Sequence, residues 1–255
     1  MDETETRQTP EDVLWTAVGV EAGLGMLALL LGWWIGPDAR YLLPPAAWQA
    51  LPAVAGGIAL GVLAVLPLLL LIAIIRRVKH PAVEELETLG DHPMIRTMLQ
   101  LGRGELLAIS LCAGVGEELL FRGWLLPLLA GADWNWLPVA NWETSVPWWG
   151  MGGWLGTIAS GGQWVGLGQW WSTHGSWEIV GAIVVSSVLF GMFHPITKLY
   201  IAITALMGCY FAALLLLTGN LLVPIVAHGL YDAIQLWLAA AQVDAESLAS
   251  GPSAD

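Results

Sequence analysis

The chain has 255 residues, of which 56% are hydrophobic and 12% charged, with a mean hydropathy of +0.67. A soluble domain carries about 25% charged residues, so this composition excludes an ordinary water-soluble globule and predicts an all-α, polytopic bundle of transmembrane helices. The net charge of -12, from 21 acids against 9 Lys and Arg, excludes a nucleic-acid surface, because phosphate binding needs a basic patch.

Five of the acids lie in the first twelve residues, which read as a solvated tail. The first apolar segment, residues 13–35, ends in Trp33 and Trp34, which suit the interfacial aromatic belt. It exceeds the apolar region of a secretory signal, about 7 to 15 residues, so it is expected to stay as an anchor. The second, 53–75, is uncharged and closed by Arg76, Arg77 and Lys79. Residues 80–103 read as a polar linker with one short amphipathic helix. Further apolar segments follow at 105–130, 179–194, 198–217 and 221–240. Between them, residues 131–178 hold ten of the sixteen tryptophans and no Lys or Arg. This stretch is predicted to be an interfacial or re-entrant insertion, the plainer reading being a variable surface loop. A further span near 148–171 would raise the total from six to seven.

The expected organisation is a two-span region with its linker (1–104), a core (105–240) that carries the insertion 131–178, and a polar acidic tail (241–255). Five of the nine Lys and Arg fall in 76–103, which puts that linker and the N-terminus on the cytoplasmic side. Cys112 and Cys209 lie in apolar segments and read as small hydrophobes.

The informative residues are those a membrane span should not contain. Glu117, Glu118 and Arg122 fall mid-segment, and each costs about 2.5 to 3.5 kcal/mol on insertion scales. Glu118 and Arg122 are related as i and i+4, with the acid first, the favourable order for an ion pair. Glu117 is rotated by about 100° from Glu118, so it needs its own partner and suits a general base. Phe190 and His194 share a helix face, and Pro195 ends that helix. His228 and Asp232 share a face one turn apart. Each pattern alone is common, and a single His near a span end is ordinarily structural; three in succession, all in apolar segments, point to one site. From about 1.5 Å of rise per residue, Glu117 lies roughly 20 Å from the inner face and His228 roughly 12 Å from the outer one. In a core about 30 Å thick the two depths agree. His194 falls nearer the inner face and converges only if its helix is tilted, shifted or set deeper.

With these motifs the chain resembles the CAAX prenyl protease and bacteriocin-processing (CPBP, or ABI) family of intramembrane proteases. The resemblance covers residues 105–240 and includes Thr218-Gly219-Asn220-Leu221 leading through Pro224 to His228. It implies an intramembrane endopeptidase that cuts a peptide or protein substrate near the membrane face. In that family's terms Glu117 and His194 activate a water, His228 and Asp232 face the oxyanion, and Glu118 and Arg122 support the helix. Asp232 departs from the more familiar Asn. An ionised carboxylate would repel an oxyanion, so Asp232 is protonated, orients His228 or binds a metal. The last option makes Glu117, His194, His228 and Asp232 a zinc set; the resemblance favours a reaction without a cofactor. Two other readings stand beside the protease. One is a non-catalytic immunity or scaffold protein that binds a peptide or partner. The other is a proton-coupled transporter, against which the chain shows no pair of similar halves. The expected location is the bacterial inner membrane.

Overall fold

The computed structural model describes residues 9–131, except 45 and 47, and residues 176–249. The tryptophan-rich insertion, with its candidate span at 148–171, lies outside the described residues apart from its two ends. Among the described residues the secondary structure is helical, without strands. The protein is an integral membrane helical bundle.

Helix α1 (Pro10–Ile35) starts where Thr9 and Asp12 cap one another, with Pro10 in the first turn, where a missing N–H costs nothing. It stops at Gly36, whose φ of 62° favours glycine. Helix α2 (Leu51–Ile75) runs through Pro67. That residue has no N–H for the ladder, and beside this gap the Tyr210 hydroxyl donates to the Ala64 carbonyl at 2.9 Å. The linker forms two short helices, α3 (Pro81–Glu87) and α4 (Pro93–Met98), joined by a 3-10 turn, where one was expected. The His80 ring caps α3 by accepting from the Ala82 amide, and prolines open both helices, a start signal that the charge pattern had obscured.

Helix α5 (Arg103–Glu118) continues through a π-helical stretch, Leu119–Leu125, into α6 (Leu126–Leu129). Helix α7 (Ser176–Met192) is followed by α8 (Lys198–Thr218), which is capped by Thr197 and ends at left-handed Gly219. Helix α9 (Leu222–Ala249) extends past residue 240, so the start of the expected tail is helical. Among the described residues four helices, α1, α2, α8 and α9, are long and apolar enough to cross a membrane by length and composition.

Small residues let the backbones meet, as membrane interfaces require in the absence of a hydrophobic drive between helices. Any Cβ at Gly114 would lie 2.8 Å from the Gly229 amide, and one at Gly61 would lie 2.8 Å from the Val223 carbonyl. These contacts join α5 and α2 to α9. At Gly116 the space is filled by the backbone carbonyl of Glu21, which joins α1 to α5. Asn220 ties the start of α9 to α2: its amide donates to the Ala53 carbonyl at 3.0 Å and its side-chain oxygen accepts from the Leu222 amide. Phe121, Phe190, Phe211 and Leu215 fill the centre, while Trp33, Trp34, Leu70 and other large apolar side chains stay exposed on the outside, where lipid covers them.

Candidate active site

The end of α5, the turn after α7 and the first third of α9 converge. Arg122, 1% exposed, and Glu118, fully buried, form an ion pair at 3.0 Å across one turn. This turn belongs to the π-helical stretch, a rare local form that often marks functional sites. The guanidinium also lies over the Phe190 ring, 4.0 Å from its centroid, and 5.3 Å from that of Phe211. The aromatic walls supply a cation–π attraction where water is excluded.

Glu118 does more than neutralise Arg122. The oxygen that accepts from Arg122 also meets His228 Nδ1 at 2.9 Å. An ionised carboxylate only accepts, so Nδ1 carries the hydrogen and Nε2 is turned the other way. Phe211 stacks on the same ring at 5.0 Å with an 18° tilt, which fixes its plane. On the far edge, His228 Nε2 lies 3.3 Å from Asp232 Oδ2 and 4.0 Å from Glu117 Oε2.

His194 sits beyond the end of α7, in the turn before α8. Its Nδ1 is 2.9 Å from the Phe190 carbonyl, which can only accept. Nε2 therefore points into the site, 3.6 Å from Glu117 Oε1. The depth difference read from the sequence does not keep His194 away from Glu117 in the structure.

The structure thus brings together Glu117, His194, His228 and Asp232, with Glu118 and Arg122 behind them. Glu117 is 7% exposed and presents one oxygen to each histidine. Both gaps exceed a direct hydrogen bond, the range in which a bridging water is to be considered. Among the described residues no group of three or more His, Cys, Asp or Glu side chains is arranged to hold a metal ion.

Three neighbours were not singled out from the sequence. Phe211 and Tyr200, the latter 6.1 Å from the His194 ring, are ordinary aromatics in an apolar helix and carry no signal in isolation. Glu21 did carry one, since it is a carboxylate in the middle of the first span. It lies within electrostatic reach of Glu117, His228, His194 and Asp232.

A family model described as Type II CAAX prenyl endopeptidase Rce1-like matches residues 101–234. No curated protein and no solved structure gives a significant match.

Proposed function

The chain belongs to the Rce1-like family of type II CAAX prenyl endopeptidases, and on that premise we propose that Glu117 and His194 activate the water that cleaves a peptide bond near the membrane face. The observation that carries this reading is the position of Glu117, buried between two imidazole Nε2 atoms at 3.6 and 4.0 Å. A water held at Glu117, with His194 beside it, loses a proton to that pair as its oxygen attacks the substrate carbonyl. General base assistance of this kind contributes about 10² to 10⁴ in rate.

The carbonyl oxygen then faces His228. To donate from Nε2 while Nδ1 serves Glu118, the ring must be in the imidazolium form, with Glu118 as its counter-charge. A donor placed for an oxyanion is worth about 10² to 10³ in rate. Asp232 borders the same position at its more open end, where its side chain is 33% exposed. It contributes a second donor when protonated. On collapse the C–N bond breaks and the leaving nitrogen takes the proton held by Glu117 and His194. The reaction is proposed to need no metal. The N-terminus is placed in the cytoplasm, with the site reached from the membrane face.

The test is cleavage, in detergent, of quenched fluorescent peptides, among them one ending in a farnesylated Cys followed by two aliphatic residues and a variable one. Glu117→Gln and His194→Ala are each expected to lower kcat by at least about 10²-fold. Parent-level turnover in Glu117→Gln would overturn the mechanism. Specific binding of such peptides by the parent without cleavage would favour the scaffold reading instead.

A further inference from the structure

We infer that Glu21, on a helix outside the matched residues 101–234, is the second carboxylate of this reaction and holds the attacking water opposite Glu117. The inference rests on the proposed role of Glu117 and adds a residue from the part of the chain that the family match does not reach.

The first observation is placement. Glu21 is the twelfth residue of α1, and Glu117 is the fifteenth of α5; both helices rise from the same side, since Leu14 and Val18 of α1 pack with Leu106 and Ile109 of α5. The two carboxylates therefore lie at similar depths, about 16 and 21 Å along their helices.

The second is a backbone lock. The Glu21 carbonyl occupies the space that a side chain at position 116 would need, and a Cβ at Gly25 would lie 3.5 Å from the Gly116 Cα. No side chain separates α1 from α5 at the residue before Glu117, so Glu21 cannot drift from its neighbour.

The third is an unmet need. Oε2 of Glu21 is buried without a hydrogen-bond partner, and so is Oε2 of Glu117. Buried carboxylate oxygens are satisfied by protein groups or by ordered water. Glu117, His228, His194 and Asp232 all lie within electrostatic reach of Glu21. One buried, unsatisfied carboxylate oxygen on each of two helices that touch at Gly116 would be satisfied by one shared water, each accepting one of its hydrogens.

The proton balance follows. One water proton goes to Glu117 as the new C–O bond forms and the carbonyl electron pair moves onto oxygen. When the C–N bond breaks, the leaving nitrogen takes that proton. The second proton, now on the new carboxylic acid, passes to Glu21 and leaves a carboxylate product. Glu21 then returns it to the departing amine, so peptide plus water gives carboxylate plus ammonium.

The experiment compares the parent with Glu21→Gln, Glu21→Ala and Glu117→Gln on the same quenched peptides, with folding followed by size exclusion in detergent. Glu21→Gln keeps the shape but cannot hold the proton, and is expected to lose about tenfold or more in kcat with KM within about twofold. Glu21→Ala should lose about 10²-fold and regain part of it with added formate, which a purely structural role would not produce. If Glu21→Ala fails to fold, Glu21→Gln decides. Parent-level kcat in Glu21→Gln, or a change confined to KM, overturns the inference; with Glu117→Gln inactive, the mechanism itself still stands. Activity in Glu117→Gln removes both.

Discussion

Glu118 holds His228 by its Nδ1 at 2.9 Å, 110 residues away in the chain. The same oxygen accepts from Arg122, so the buried ion pair of one motif is also what aims the imidazole of another. The pair and the ring form a single unit, sealed by Phe190 and Phe211.

This relationship predicts that Glu118→Gln damages both stability and catalysis. Losing one partner of a buried ion pair costs about 3 to 5 kcal/mol, seen as a lower Tm in detergent. The ring also loses the counter-charge that supports its imidazolium form, and kcat should fall by about 10²-fold or more. A variant with a lower Tm and unchanged kcat would show that Glu118 stabilises without orienting.

Glycine 116 is predicted to be intolerant of a single methyl group. A Cβ there meets the Glu21 backbone, which cannot rotate aside as a side chain would. Gly116→Ala should destabilise by about 1 to 3 kcal/mol through overpacking and lower activity by moving α1 off α5. Gly19→Ala, where nothing lies within 4 Å of the added carbon, is the control and should leave both Tm and kcat near the parent values.

Asp232→Asn is expected to keep kcat within about tenfold of the parent, since an amide N–H supplies the donor that a protonated carboxyl would. Asp232→Leu removes the donor and should lose about 10²-fold. Equal loss in the two variants, measured as kcat on one peptide, would point to a need for the carboxylate itself.

Prolonged treatment with a chelator is expected to leave turnover unchanged, because the reaction is proposed to run on side chains alone. Activity lost on chelation and restored by zinc would instead assign Glu117, His194, His228 and Asp232 to a metal.

Much of the site was legible because charge in a membrane span is costly and therefore conspicuous. Glu117, Glu118 and Arg122 stand out against an uncharged background, and helical spacing alone pairs Glu118 with Arg122. The same logic applies to Glu21, a solitary acid in the first span. It is easier to pass over because no i+4 base or second charged residue accompanies it there.

Composition and periodicity determined by themselves that this chain is a membrane helix bundle, and that its few internal charges form motifs. Both follow from local rules, the length needed to cross a bilayer and the 3.6-residue turn. Only the tertiary structure decided that Glu118 rather than Asp232 holds His228 Nδ1, that the turn after α7 brings His194 to Glu117, and that α1 sets the Glu21 backbone against Gly116, the residue before Glu117. These relations join residues up to about a hundred or more positions apart. They depend on how closely glycine-lined backbones approach one another, a property of paired surfaces that no single helix encodes.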